Sequence, residues 1–400
     1  MHARKTKETE IMEIVIFTHP DFLGSQSMPR YANMIAEGMR AKGHNVAVWH
    51  VKSKLSCLPV IRQGRKWLGY FDQYVLFPRE VKARLKDCSD DTLFVFTDHA
   101  LGPWVPLIKG RPHVIHCHDF LAQRSASGEV PENPVSLTGR IYQAWIRKGY
   151  RQGQNFISVS NKTQDDLHHF MAGKPRLSVV VYNGLNRSYV PGDISASRSL
   201  IGKRTGQDLS KGYILHVGGN QWYKNRTGVI EIYNAWRSVA HRSLPLLLLG
   251  KYPSEEILKT YSASPYKNDI FILPDIEDEF IGAAYSGSVV FLYPSLAEGF
   301  GWPIAEAMAS GALVITTNEA PMTEVAGDAA FLIPRRPHGH SSHNLWARES
   351  AILLESVISL SDADRARVVK AGVNNAKRFD AGMAVDKIEQ VYLDVLNNYT

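Results

Sequence analysis

Apolar runs of four to six residues recur along the chain, separated by stretches whose apolar positions return every three or four residues. Residues 13–18, 45–50, 92–97, 113–116 and 155–159 read as strands rich in Val, Ile and Phe, with helical patterns at 34–42, closed by Gly43, and at 136–150. Such runs, alternating with helices, indicate parallel strands covered on both faces. Residues 189–211 break the rhythm with Pro191, Gly192, Gly202 and Gly206 among Ser and Arg. It then restarts, with strands expected at 213–217, 246–249, 270–273, 289–293 and 313–316. Residues 383–398 carry Val385, Ile388, Val391, Tyr392 and Val395 at helical spacing. The pattern predicts two doubly wound α/β domains, at 1–190 and 212–380. A connection at 191–211 joins them, and a helix at 381–400 ends the chain.

A length of 400 residues supports two such domains. No apolar run reaches the roughly 18 residues of a membrane span, and residues 1–10 are charged where a secretory leader would be apolar. Cys57, Cys88 and Cys117 are scattered, without metal or redox spacing. A cytoplasmic protein is expected. The net charge of +7 is unevenly placed: the first 200 residues hold 27 basic and 17 acidic side chains, the rest 19 and 22. It is densest at 52–86, from Lys52 to Lys86, where Lys and Arg interleave with Trp67, Tyr70, Phe71 and Tyr74. Such a stretch suits peripheral contact with an anionic membrane face or an anionic acceptor, and equally a solvated helix face with its aromatics in the core. No recognition motif points to nucleic acid.

Ligands of open α/β sheets bind beyond the carboxyl ends of the strands. Four loops there carry chemistry. Gly24 and Ser25 follow the first strand, and His118-Asp119 follow the strand at 113–116. His118 can hydrogen-bond a substrate or simply its own backbone, and His116 two residues earlier shares its sheet face. Gly218 and Gly219 precede Lys224, which suits a diphosphate or a solvated loop. Finally, residues 294–311 set Glu298 and Glu306 around Gly299-Phe300-Gly301, with Pro303 at a helix start. An anion bearing hydroxyls fits that turn.

The Glu-x7-Glu spacing of Glu298 and Glu306 resembles the motif of glycosyltransferase family 4, retaining enzymes of the GT-B fold. His118-Asp119, residues 159–163, 182–186, 218–225 and 326–330 are similar to further landmarks of that family, in order. The resemblance implies two Rossmann-like domains facing across a cleft, with the last helix returning to the first domain. It implies that His118, Lys224 and Glu298 do the chemistry. Gly218, Gly219, Asn225, Phe300, Gly301 and Glu306 would bind the donor, with Ile276 beside its base and Gly24 and Ser25 on the acceptor side. Lys224 would face the diphosphate and Glu306 the ribose. The donor would be a UDP- or GDP-hexose and the acceptor a saccharide or lipid-linked glycan, as in bacterial polysaccharide assembly, with no cofactor and no metal. One departure stands out: where the family commonly carries Arg five residues before the lysine, this chain has Gly219, leaving Arg226 and Asn220 as replacements. Asp362-Ala-Asp364 matches a metal-binding pattern formally, but after Ser361 it reads as a helix cap. A sugar-nucleotide epimerase of the same fold and a non-catalytic basic membrane-surface subunit are the alternatives.

Overall fold

The computed structural model describes residues 11–20, 22, 27–57, 62–185, 187–274 and 276–399. The first domain runs β1 (Glu13–Phe17), α1 (Ser27–Ala41), β2 (Asn45–Trp49), α2 (Arg62–Phe71), α3 (Phe77–Arg84), β3 (Leu93–Phe96), β4 (His113–Cys117), α4 (Leu121–Ser127), α5 (Leu137–Tyr150), β5 (Asn155–Ser158), α6 (Asn161–Phe170), β6 (Leu177–Val180). The second runs α7 (Ile194–Thr205), β7 (Ile214–Val217), α8 (Arg226–Arg237), β8 (Leu246–Gly250), α9 (Glu255–Ala263), β9 (Ile270–Pro274), α10 (Asp278–Gly287), β10 (Val290–Tyr293), α11 (Trp302–Ala309), β11 (Val314–Thr317), α12 (Met322–Ala326), β12 (Phe331–Ile333), α13 (His343–Ile358), α14 (Asp362–Ala376). The closing helix is α15 (Ala381–Asn397).

Among the described residues the strands form two six-stranded parallel sheets, ordered β2-β1-β3-β4-β5-β6 and β12-β11-β10-β7-β8-β9. The runs expected to be strands are strands; those inside each sheet are buried on both faces because helices cover each sheet twice, while the edge strands β2 and β9 are partly exposed. The edge strands β6 and β12 escape the sequence pattern: they are short and only partly buried. Each sheet reverses direction of winding once, between β1 and β3 in the first and between β7 and β10 in the second. Strand order therefore decides which loops meet.

The segment 191–211 is not a free connection. Asp193 caps α7, whose last turn closes on Gly206 in the left-handed region at φ 70°. Ile201 and Leu209 are buried with Tyr213 and Ala284, and the Arg198 guanidinium donates to the Gly287 carbonyl. The helix belongs to the second domain; Pro191, Gly192 and Gly206 bound it, and Gly202 is buried inside it. The chain crosses between domains on either side, where Leu185 N–H donates to the Phe379 carbonyl at 2.7 Å.

From there α15 lies on the first sheet, burying Ala384, Val385, Ile388, Tyr392 and Val395 against Ile14, Ile16 and Val95. The Tyr392 hydroxyl meets His116 Nε2 at 2.8 Å, and the Tyr31 hydroxyl meets its Nδ1 at 2.8 Å. Both nitrogens of His116 are thus occupied, and burial lowers its pKa to about 3. Ser361 Oγ accepts from Asp364 N–H, so the Asp-x-Asp pair sits in the first turn of a capped helix. No helix of the described residues is long and apolar enough to cross a membrane.

Candidate active site

The reversal in the second sheet puts the loop after β7 beside the loop after β10, at the crevice where such sheets take ligands. The first loop carries Lys224 and the second Glu298, 74 residues apart in sequence and 2.8 Å apart in space. Lys224 Nζ also donates to the Tyr293 hydroxyl at 2.6 Å. Tyr293 in turn donates to Glu298 Oε1 at 2.6 Å, and Ser295 Oγ reaches the same oxygen at 2.7 Å. One carboxylate oxygen therefore receives three donors, while the Glu298 side chain stays only 8% exposed. That satisfaction is what allows a charged pair to sit so deep. Tyr293 and Ser295 were not singled out from sequence, because the end of a buried strand looks like core.

Gly301, at φ 101°, starts α11, and no side chain caps that helix. Pro303 brings no N–H and the Ile304 N–H donates to the Gly301 carbonyl at 3.0 Å, so what the helix start offers a ligand at the Glu298 turn is chiefly its positive end. Phe300 packs inward against Tyr182 and Phe379, so only its backbone faces the turn. One turn into α11, Glu306 Oε2 accepts from the Tyr285 hydroxyl at 3.1 Å. Burial raises the Glu306 pKa, and hydrogen bonds from Tyr285 and Tyr189 pull it back. Ile276 lies just past β9, partly buried against the same core.

The glycines of the lysine loop are needed for close approach. A Cβ on Gly218 would lie 2.9 Å from His216 Nε2, and one on Gly250 would lie 2.1 Å from the Gly218 carbonyl. Gly219 faces Gln221, whose side chain would meet a Cβ there at 2.4 Å. Asn225, expected at the donor, does other work. Its side-chain oxygen caps α8 by accepting from Gly228 N–H, and its amide donates to the Pro294 carbonyl at 2.8 Å. The residue is buried with φ 50°, which Asn tolerates, and it pins the lysine loop to the glutamate turn.

Arg226 and Asn220 do not replace the missing arginine in this arrangement. Arg226 Nη1 donates to Asn220 Oδ1 and to the Lys251 carbonyl, each at 2.8 Å. Arg226 as a whole is 2% exposed, and burial lowers its pKa to about 10. It ties the lysine loop to the end of β8 from beneath.

The first domain meets this turn directly. A Cβ on Gly299 would lie 1.8 Å from the His118 carbonyl oxygen, so only glycine fits. The Gly299 carbonyl accepts from Ser160 Oγ at 2.7 Å and Thr163 Oγ1 at 3.0 Å. His118 Nε2 donates to the Thr97 carbonyl at 2.9 Å, which fixes the tautomer and leaves Nδ1 as an acceptor. Burial lowers the His118 pKa to about 4, and Tyr31 packs edge-on against the ring at 4.3 Å. The backbone reading of this histidine is the one the structure shows, and Nδ1 is the nitrogen that the Thr97 carbonyl does not take. Burial also raises the Asp119 carboxyl. Gly24 and Ser25 lie outside the described residues.

Comparison with known proteins agrees with this geometry. Residues 28–189 match the family model "Glycosyltransferase Family 4", and residues 211–343 match "Glycosyl transferases group 1". The chain is 24% identical over 375 residues to a phosphatidyl-myo-inositol mannosyltransferase of Mycobacterium leprae, covering 90% of each. It is 31% identical over 124 residues to the O-antigen chain mannosyltransferase B of Escherichia coli, spanning about a third of each. Among solved structures, a sucrose-phosphate synthase from Thermosynechococcus elongatus superposes with a TM-score of 0.73 over 97% of this chain and 100% of that one, at 15% identity. The Anabaena protein HepE in complex with UDP-glucose gives 0.67 over 97% and 100%, at 16% identity. Two Rossmann-like domains, the Lys224–Glu298 crevice and the matched models lead to one conclusion: the chain belongs to glycosyltransferase family 4, with the GT-B fold.

Proposed function

We propose that this glycosyltransferase moves a hexosyl group from a nucleotide diphosphate sugar, such as a UDP- or GDP-hexose, to an acceptor hydroxyl with retention of configuration. The observation that carries the proposal is the Lys224–Glu298 pair at the uncapped start of α11. Lys224 spends two of its three N–H donors on Glu298 and Tyr293, and the third is free to take a phosphate oxygen. As the bond between the anomeric carbon and the phosphate oxygen breaks, negative charge grows on the diphosphate. The ammonium and the positive start of α11 are preorganised to receive it. This reading needs no divalent ion.

Glu298, already held by three donors, can still accept sugar hydroxyls through Oε2, and His118 Nδ1 can accept another from the opposite wall. Glu306 is suited to the two ribose hydroxyls, with Ile276 beside the base. The acceptor oxygen bonds to the anomeric carbon on the face the diphosphate leaves, and its proton passes to the departing phosphate oxygen. A saccharide or lipid-linked glycan acceptor of a surface polysaccharide pathway fits the relatives' names, among them an O-antigen mannosyltransferase and a phosphatidyl-myo-inositol mannosyltransferase. Screening a panel of nucleotide sugars for hydrolysis tests the proposal. Release of nucleoside diphosphate and free sugar by the parent, and not by Lys224→Ala, is expected. Conversion of a donor to its epimer without release would favour the epimerase.

A further inference from the structure

Sequence left the aromatic and basic stretch at 52–86 undecided between core and surface. It is both. Tyr70 and Tyr74 turn inward, Tyr74 meeting the Tyr142 hydroxyl of α5 at 2.5 Å, and Asp72 is buried where it accepts the backbone N–H groups of Lys54, Leu55 and Ser56. Trp67 and Phe71 on α2 instead face outward, 73% and 43% exposed. Beside them α5 exposes Leu137, Ile141 and Trp145 to 73%, 61% and 42%, one above another at four-residue spacing. A ring chain from Trp67 through Tyr70, Tyr142 and Tyr74 to Trp145 welds the two helices into one surface.

We infer that this α2–α5 face docks the protein on an anionic lipid bilayer. Five large apolar side chains exposed together on two adjacent helices demand a cover. Charge decides which. The sequences of α2 and α5 hold three basic residues each and no acidic one. Arg140 and Lys148 are exposed on α5 on the same side as Ile141 and Trp145. Two such faces from two copies would repel each other, whereas an anionic headgroup layer attracts the basic residues and its acyl boundary takes Leu, Ile and Trp. Phe22, which follows β1, lies over Gly69 of α2, where a Cβ would approach its ring to 3.2 Å. A bilayer held there would lie toward the carboxyl end of β1, the side on which such sheets take ligands, a suitable approach for an acceptor anchored in lipid.

The inference does not rest on the donor-site proposal, and vesicle binding is read without turnover. Full-length parent, Leu137→Glu/Ile141→Glu and Trp67→Glu proteins would be floated with phosphatidylglycerol-containing and with pure phosphatidylcholine vesicles. All three changes fall on exposed positions, and circular dichroism together with nucleoside diphosphate binding checks that the variants fold. The parent should bind anionic vesicles and not zwitterionic ones, brominated lipid should quench its tryptophan fluorescence, and either variant should lower the partition coefficient about tenfold or more. Equal flotation of parent and variants, or no binding by the parent, would overturn the inference. So would a parent dimer that either variant converts to monomer, since that would make the face a contact between copies.

Discussion

At the scale of single residues, the site is built from groups whose partners are fixed in advance. Lys224→Ala should leave the fold intact but remove transfer, because in the proposed reaction it takes away the cation that meets the leaving diphosphate, and it strips Glu298 of its charge partner. A loss of about 2.7–4 kcal/mol in transition-state stabilisation, typical of a preorganised electrostatic group, sets a floor of roughly a hundredfold in kcat. Normal turnover would displace Lys224 from the site. Tyr293→Phe is a milder test: it removes one donor from Glu298, and kcat should fall while the far-UV spectrum is unchanged. Lys224 and Glu298 were legible from residue type and motif. Tyr293 and Ser295 were not, since a buried hydroxyl announces itself only through the partner it finds, and Arg226, expected at the phosphate, is instead tied to Asn220 and the Lys251 carbonyl.

The buried histidines give a pH signature. His116, His118 and His216 have pKa values lowered to about 3, 4 and 3, each chiefly by burial. In the unfolded chain they titrate near 6.5, so on acidification the unfolded state takes up protons before the folded state does. Their contribution is complete above about pH 6.5 and is lost progressively as pH falls toward 4. The raised carboxyls of Asp119 and Glu306 act in the opposite sense, favouring the folded state once they protonate. With these three histidines and His113, whose pKa burial also lowers, against two carboxyls, the unfolding midpoint should drop between pH 6.5 and 4 in thermal scans. A flat profile there would mean that these histidines are solvated.

At the scale of elements, the informative positions are those where one element touches another through a residue that cannot change. Gly299→Ala would drive a methyl into the His118 carbonyl and disturb the bonds from Ser160 and Thr163. Transfer should be lost and the domains should part, which small-angle scattering would register as a larger radius of gyration. An active, compact Gly299→Ala protein would contradict this contact. Tyr392→Phe leaves His116 Nε2 without its hydroxyl partner in a buried place, at a cost of about 1–3 kcal/mol by chemical denaturation. Most elements were readable from periodicity, because strands buried on two faces and amphipathic helices write their burial into the sequence. The segment 191–211 was not. Glycines and a proline signal chain reversal, but whether they break a helix or bound one depends on what Ile201 and Leu209 pack against.

At the scale of the whole molecule, the two domains are joined by polar contacts as well as by the chain. Glu324 of α12 accepts from the N–H groups of Asn161 and Lys162 at the start of α6, at 2.8 and 2.9 Å, as an anion at a helix N-terminus should. Arg335 reaches Glu132 across the same boundary at 2.7 Å. Beside them Val159 and Tyr182 pack in one apolar cluster with Phe300, so opening this latch would also uncover apolar surface. Glu324→Ala should weaken closure, seen as a raised donor KM and a scattering profile that shifts on donor addition where the parent's is already compact. An unchanged KM and profile would leave the latch without a role. Which loops face each other follows from strand order, and strand order is set by long-range pairing that no local pattern records. The motifs single out Lys224 and Glu298 as candidates; only the reversal between β7 and β10 explains why the two meet.

The central claim is that the crevice formed by Lys224, Glu298 and Glu306 holds a nucleotide diphosphate sugar. Calorimetric titration with UDP and GDP, each alone and as its sugar conjugate, measures that directly. The parent should bind at least one nucleoside diphosphate with one-to-one stoichiometry, and Glu306→Ala and Lys224→Ala, folded to the same thermal midpoint, should each lose that binding. Absence of binding to every nucleotide by the parent, or undiminished binding by both variants, would contradict it.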